Sequence, residues 1–221
     1  MFGVLALLTA VATLGHSVQG RPIRVIERDG AQPGRTVLVV GCIHGDECAG
    51  EAVTRRLGRP ARGRLLIVDD LNPDGHARGT RGNAHGVDLN RNFPSQWRRL
   101  RGGTYSGPRP LSEPESRAAR ALIRRERPDV TLWFHQPQGV VRAWGHSVGE
   151  ARRFAHAAGA RYASLRWPAG SAPNWQNHAF RRASAFVVEL PPGRLGAASA
   201  RRYARAVLRE TGPPPARAGA R

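Results

Sequence analysis

The chain has 221 residues, enough for one domain with a sizeable core, and 40% of them are hydrophobic. Its formal net charge is +19, and all 35 basic residues are arginine. Because the arginines are spread along the chain, without a zinc-finger, RNA-recognition or basic-zipper pattern, we expect no specific nucleic-acid partner. Two explanations of the charge stay open: an arginine-rich codon usage, and attraction to an anionic partner such as a cell-wall polymer.

The N-terminus begins with an apolar stretch, MFGVLALLTAVA, which is too short to span a membrane as a helix. It resembles the apolar part of a signal peptide, and Ala10–Ala12 fits a small-residue cleavage site. We therefore predict a truncated leader over residues 1–12, one domain over 13–212 and a disordered tail over 213–221, with no integral membrane span. A leader implies a secreted or cell-envelope protein; the alternative is a buried first segment in a cytoplasmic one.

Apolar runs and helical periodicity alternate along the rest of the chain. The predicted strands are Thr36–Ile43, Arg64–Asp70, Asp129–His135, Val140–Trp144 and Ser184–Leu190. The predicted helices are Glu47–Leu57, Leu111–Glu126, Ser147–Gly159 and Ala197–Glu210. This alternation predicts a single α/β domain whose mixed, mostly parallel sheet is flanked by helices on both faces.

Two local features refine this prediction. Ser112 and Glu115 have the spacing of a capping box, which would start the helix that follows. Residues 71–111 are rich in glycine, asparagine and arginine and show little apolar periodicity. A loop of this length inside a compact domain is usually functional or disordered.

Three predicted strands lead to polar groups that can do chemistry. The first leads to His44 and Glu47, and two others end at His135 and Glu189. Since open α/β sheets bind ligands at the carboxyl ends of their strands, we expect these four residues at a common edge. His44 and Glu47 can point the same way, imidazole and carboxylate are good zinc ligands, and His135 is the candidate third ligand.

Each of these residues also has a structural alternative. The spacing of His44 and Glu47 is a weak signal by itself, because a glutamate in a first helical turn is also favoured by the helix dipole. His135 could be a core histidine, and Glu189 could pair with an arginine. His85, His146 and His178 are rival ligands that lie in predicted loops or near a helix start.

The two cysteines, Cys42 and Cys48, flank His44 and Glu47. They could form a local disulfide or remain two buried thiols, and the sequence does not decide between these states.

Several motifs occur along nearly the whole chain in a fixed order: GHSVQGRPI, GCIHGDE, NPDG, GVDLNRNFP, LSEPE, a histidine at a strand end, and FVVELP. This ordered set resembles the zinc carboxypeptidase family, and within it the bacterial murein peptide amidase branch. The resemblance implies a zinc carboxypeptidase-like fold with one Zn²⁺ per chain. It implies the following site: His44, Glu47 and His135 as zinc ligands, Glu189 as the base that activates water, Arg81 as the group that polarises the scissile carbonyl, and Asn90 with Arg91 as the binders of the substrate's terminal carboxylate.

The chemistry of the two arginines agrees with these implied roles. A planar guanidinium binds a carboxylate through two parallel hydrogen bonds, so Arg91 suits an enzyme that recognises a free chain end. Arg81 would supply positive charge where negative charge develops in the transition state. One departure from the family concerns a tyrosine that closes over the substrate, because Trp167 stands near that place here.

The resemblance implies hydrolysis of an amide bond next to a free C-terminal carboxylate. The branch suggests a cell-wall peptide as the substrate, cleaved between γ-D-glutamate and diaminopimelate. Two other functions stay open. An N-acyl amino-acid deacylase of the aspartoacylase or succinylglutamate desuccinylase type also resembles HGDE and DLNR, and a non-catalytic wall-binding protein could keep the same fold.

Overall fold

In the computed structural model, which describes residues 9–213, eight strands form one sheet. The strands are β1 (Thr9–His16), β2 (Pro22–Asp29), β3 (Gln32–Val40), β4 (Arg62–Val68), β5 (Val130–His135), β6 (Val140–Ala143), β7 (Arg161–Ser164) and β8 (Ser184–Glu189). The helices are α1 (Glu51–Thr54), α2 (Pro73–Arg78), α3 (Pro114–Glu126), α4 (Val148–Ala158), α5 (Ala172–Ala179) and α6 (Ala197–Glu210).

The strand order is β1-β2-β4-β3-β5-β8-β6-β7. The central strands β4, β3, β5 and β8 pair in parallel, whereas β1, β2 and β6 each pair antiparallel with a neighbour. The predicted mixed α/β sheet is therefore confirmed. All residues of β5 are buried, which explains why this central strand is an apolar run and not an alternating one.

Helices pack on both faces of the sheet, as predicted. Successive residues of a strand point to opposite faces. On one face of β5, the Phe134 ring lies 6.4 Å from the Tyr203 ring of α6. On the other face, Thr131 Oγ1 accepts a hydrogen bond of 2.7 Å from Gln176 Nε2 of α5.

The predicted helix Glu47–Leu57 and the predicted capping box are wrong. The first helix is only a 3₁₀ turn, Cys48–Gly50, followed by the short α1. At α3 the N-cap is Glu113, without a capping side chain, and the Ser112 hydroxyl donates to Glu113 Oε1 at 2.6 Å. The reason is Pro114 at the first position of the helix, since the residue before a proline is pushed into the extended conformation.

The ends of the chain bear on the predicted leader and tail. Ala10–Ala12, at the predicted cleavage site, lies in β1 and pairs with β2. Residues 1–8 of the predicted leader and residues 214–221 of the predicted tail lie outside the described residues. The boundaries at residues 12 and 213 stay predictions. Among residues 9–213, no helix is long and apolar enough to cross a membrane.

The long loop over residues 71–111 is ordered and is held by buried asparagines. Asn72 caps α2 and donates from Nδ2 to the backbone oxygens of Ile43 and Arg81, each at 3.2 Å. Asn92 Nδ2 donates to the backbone oxygen of Ser106 at 2.9 Å. Because these amides replace missing backbone partners, an irregular segment can pack against the sheet edge without leaving polar groups unpaired.

Gly50 tests how closely the segment after β3 packs on the sheet. A Cβ at Gly50 would overlap the backbone oxygen of Gly41 and the Cβ of Phe134. Gly50→Ala should therefore lower the free energy of unfolding by about 1–3 kcal/mol, measured from the urea midpoint. Gly58→Ala is the matched control, since a Cβ there meets nothing within 4 Å. Equal midpoints for the two variants would contradict the close packing.

Candidate metal centre and active site

The segment after β3 carries the first two candidate ligands. His44 lies beyond the strand end, and Glu47 is the N-cap of the 3₁₀ turn Cys48–Gly50. A disulfide joins Cys42 to Cys48, whose Cα atoms lie 4.6 Å apart. This covalent link closes the turn that holds both ligands, so the structure settles the pairing that the sequence left open.

His44, Glu47 and His135 come together as predicted. His44 Nδ1 and His135 Nδ1 lie 3.1 Å apart, and Glu47 Oε2 is 3.1 Å from the first and 3.0 Å from the second. The three side chains are largely buried, with exposed fractions of 2%, 15% and 4% in sequence order. Two imidazole nitrogens thus face each other in a buried site, and a carboxylate oxygen lies beside both. One cation bound between them would give all three atoms a partner.

The chemistry of these donors fits zinc. Two ligand atoms on tetrahedral Zn²⁺, each bonded at about 2.0–2.1 Å, are separated by about 3.4 Å. The three distances of 3.0–3.1 Å come close to this value. Two histidines and one glutamate are also a known ligand set of catalytic zinc sites that keep a position open for water.

His135 and Glu189 reach the same sheet edge because β5 and β8 are paired in parallel. His135 is the register partner of Glu189, and both are the last residues of their strands. Register partners point to the same face of a sheet. Backbone hydrogen bonds of the two strands therefore place the carboxylate of Glu189 beside the three candidate zinc ligands.

The protonation states of two candidate ligands, His135 and Glu47, favour metal binding. Burial lowers the pKa of His135 to about 4, so its imidazole is neutral at neutral pH. Burial would raise the pKa of Glu47, but hydrogen bonds with His135 and His44 outweigh burial and hold that pKa well below its usual range. A neutral imidazole and an ionised carboxylate are the forms that bind a metal ion.

Asp88 is a functional residue that the sequence analysis missed. Its side chain is fully buried, and Oδ1 accepts hydrogen bonds of 2.9 Å from His44 Nε2 and from the backbone N–H of Asn90. With Nε2 as the donor, the lone pair of His44 Nδ1 is free for the metal. The sequence offers a carboxylate in DLNR, but it does not show which histidine that carboxylate contacts; a ligating histidine almost always donates its other N–H to a carboxylate or carbonyl, and the structure identifies Asp88 as that group.

Arg81 is fixed by the same carboxylate and by a candidate ligand. Its Nε donates to Asp88 Oδ2 at 3.0 Å, and its Nη1 donates to Glu47 Oε1 at 2.7 Å. The guanidinium therefore lies beside the candidate zinc ligands. Its predicted contact with a substrate carbonyl stays a prediction.

Asn90 and Arg91 lie in the same site. Asn90 Oδ1 accepts from the backbone N–H of Ala172 at 2.9 Å, and Asn90 Nδ2 lies 3.3 Å from His135 Nε2. Arg91 Nη1 donates to the backbone oxygen of Asn90 at 2.8 Å, and the half-buried side chain borders the cavity. Both residues border the cavity, and their predicted contact with a substrate carboxylate stays a prediction.

Glu189 has the properties of a proton acceptor. Its Oε2 is buried without a hydrogen-bond partner among the described residues. Burial, followed by the negative charge of Glu47, raises the pKa of Glu189 to about 7. A carboxylate with a pKa near neutrality can both take up and release a proton during a reaction.

A cavity of about 360 Å³ opens over these groups. It is bordered by all the predicted site residues, by Gln136 and Gln138, and by Trp167.

The three rival histidines form hydrogen bonds outside this site. His85 pairs with Glu113, whereas His146 and His178 bond to backbone oxygens.

Comparison with known proteins gives the class of this site. A family model described as zinc carboxypeptidase matches residues 62–179. Murein peptide amidase A of Vibrio campbellii is 30% identical over 209 residues, which cover 85% of this chain and 82% of that protein. Murein peptide amidase A of Escherichia coli K12 is 34% identical over 161 residues, covering 62% of this chain and 63% of that protein.

Solved structures agree with this class. Murein-tripeptide amidase from Escherichia coli O157 has a TM-score of 0.71 and 27% identity, covering 93% of this chain and 92% of that one. Carboxypeptidase A from Helicoverpa armigera has a TM-score of 0.74, but its 18% identity supports the fold alone. The fold and the histidine–glutamate cluster thus define a zinc metallopeptidase. The chain belongs to the zinc carboxypeptidase family, which confirms the resemblance carried by the motifs.

Replacing Asp88 tests whether it orients a metal ligand. Asp88→Asn keeps the size of the side chain but removes the charge that holds His44 and Arg81. We expect zinc affinity to fall about 10- to 100-fold, measured by competition with a chelator. Asp46→Asn is the control, because Asp46 is exposed and lies next to Glu47 in sequence. Equal affinities for the two variants would exclude the orienting role.

Proposed function

We propose that this protein is a zinc carboxypeptidase that cleaves murein peptides at the amide bond between γ-D-glutamate and a C-terminal diaminopimelate. The observation that carries the proposal is the buried Oε2 of Glu189, which has no hydrogen-bond partner within residues 9–213 and lies next to the cluster of His44, Glu47 and His135. Arg91 in the same cavity supports recognition of a free carboxylate. The murein peptide amidases among the relatives support the cell-wall substrate.

Zinc bound by the three ligands would polarise the scissile carbonyl and make a water molecule more acidic. Glu189 would accept a proton from that water as the water oxygen bonds to the scissile carbonyl carbon, and would pass the proton to the amide nitrogen, which leaves as an amine when the C–N bond breaks. Arg91 and Asn90 would hold the terminal carboxylate of the substrate and so place the amide bond over Glu189. Arg81 would donate hydrogen bonds to the oxygen on which negative charge develops.

Three further points belong to the proposal. The cluster would hold one zinc ion per chain, since a catalytic zinc needs three protein ligands and one open position. A secreted or cell-envelope location is supported by the disulfide between Cys42 and Cys48, since disulfides persist in oxidising compartments. The net charge of +19 would favour contact with anionic wall polymers.

The direct test gives the zinc-loaded protein the tripeptide L-alanyl-γ-D-glutamyl-diaminopimelate and measures the diaminopimelate released. We expect release by the parent protein and a loss of about 10²- to 10⁴-fold in Glu189→Gln, because the amide cannot accept the proton. Zinc content, measured in parallel, should be equal in the two proteins. Equal rates would remove Glu189 from the reaction.

A panel of other substrates separates the remaining functions. Faster cleavage of acetyl- or succinyl-amino acids would favour an N-acyl amino-acid deacylase. Brisk cleavage of ordinary C-terminal residues without release of diaminopimelate would exclude the murein substrate. Absence of hydrolysis from the whole panel would favour a non-catalytic binding protein.

The pKa of Glu189 predicts how the rate depends on pH. The carboxylate must be ionised to accept a proton, and burial raises its pKa to about 7. The value of kcat/KM should therefore fall tenfold per pH unit on the acid side, with a midpoint no higher than about 7, because bound zinc offsets the charge of Glu47. A pH–rate profile of the zinc-loaded protein measures this, and a rate that stays constant far below neutrality would contradict it.

A further inference from the structure

The cavity contains a third guanidinium, Arg142, that the proposed mechanism does not use. Arg81 is neutralised by Glu47 and Asp88. Arg142, in contrast, donates from Nε to the neutral Gln138 Oε1 at 2.9 Å and from Nη2 to the same oxygen. Among the described residues, no carboxylate lies within ion-pair distance of Arg142. A charged group that borders a cavity with only an amide partner can still bind an anion.

The strand register places Arg142 farther from the sheet edge than His135 and Glu189, on the same face of the sheet. His135, Glu189 and Val140 form one row across β5, β8 and β6. Val187 and Arg142 are partners in the next row that points to the same face. Since two residues of a strand span about 6.6 Å, Arg142 is attached about that far from the row of Glu189, away from the sheet edge.

Apolar side chains border the same cavity. Val187 lies in the row of Arg142, and Leu165, Trp167 and Pro173 are further apolar residues of the lining. Methylene groups pack well against such side chains, whereas a short polar side chain would leave them without contacts. The cavity therefore suits a long aliphatic side chain that ends in an anion.

We infer that Arg142 binds a carboxylate at the far end of the side chain of the released C-terminal residue, and so selects residues that carry a second acidic group. The inference rests on the proposed function, because it assumes that the terminal residue occupies this cavity. The guanidinium of Arg142 would exchange its hydrogen bonds with Gln138 for two parallel bonds to the carboxylate.

Chain length agrees with this assignment. Diaminopimelate has five carbon–carbon bonds between its first α-carbon and its distal carboxylate carbon, which span roughly 6 Å when extended. This length is close to the distance between the rows of Glu189 and Arg142. Lysine has the same carbon chain up to its amino-bearing carbon but lacks the distal carboxylate, so it is the matched residue for a test.

The experiment compares two tripeptides that differ only in diaminopimelate or lysine at the C-terminus. We expect the zinc-loaded parent protein to prefer diaminopimelate by about 10- to 100-fold in kcat/KM, as for loss of one hydrogen-bonded charge pair. Arg142→Met should remove this preference by slowing cleavage of the diaminopimelate peptide alone. Arg142→Lys, which keeps the charge but loses the planar fork, should restore part of it.

Arg205→Met is the matched control. Arg205 is exposed on α6, which packs on the opposite face of the sheet, and its loss changes the net charge by the same amount. It should leave both rates unchanged. All rates are measured well above the pKa of Glu189, so that any effect of Arg142 on the ionisation of Glu189 does not contribute.

The outcomes separate the inference from the proposed function. Equal cleavage of both peptides by the parent protein, or equal slowing of both in Arg142→Met, would overturn the role of Arg142 and leave the carboxypeptidase intact. If the parent protein cleaves neither peptide, the proposed function fails. Calorimetric binding of free diaminopimelate and free lysine to the parent protein then decides: preference for diaminopimelate supports the role of Arg142, and equal or absent binding overturns it.

Discussion

The buried carboxylate of Asp88 is the constraint on which the site depends. One oxygen accepts from His44 and from the backbone of Asn90, and the other accepts from Arg81. A fully buried charge is stable only when it is paired and hydrogen-bonded on all sides, so these partners cannot move independently. The candidate ligand His44, the guanidinium of Arg81 and the turn at Asn90 are thereby held in one arrangement by a group that is not itself a candidate ligand.

The sheet supplies the second half of the site in a different way. His135 and Glu189 end paired parallel strands, so their separation is set by backbone hydrogen bonds. β6 runs antiparallel beside them and carries Arg142 back along the same face. The antiparallel direction of β6 thus places Arg142 deeper in the cavity than His135 and Glu189, which lie at the sheet edge. A substitution at Arg142 can therefore change the deeper part of the cavity, because the strands that carry His135 and Glu189 stay in place.

Much of this arrangement could be predicted from the sequence, because the central strands are apolar runs that end at the groups in question. The sequence does not reveal the edge strand β1, because its first four residues fit the apolar part of a leader, or α5, because its proline and asparagines hide the helical period. The role of Asp88 and the place of Arg142 were missed for another reason. Both depend on partners distant in sequence, which spacing alone does not show.

The sequence distance between the candidate ligands has a consequence for the stability of the folded protein. His135 is 88 positions from Glu47, so the three ligands meet only after β3 and β5 have paired. An unfolded chain offers no preformed site, and zinc would bind almost only to the folded form. By mass action, the ion that serves the chemistry would then also hold the domain together. Scarcity of zinc would thus shorten the survival of the protein as well as slow its reaction.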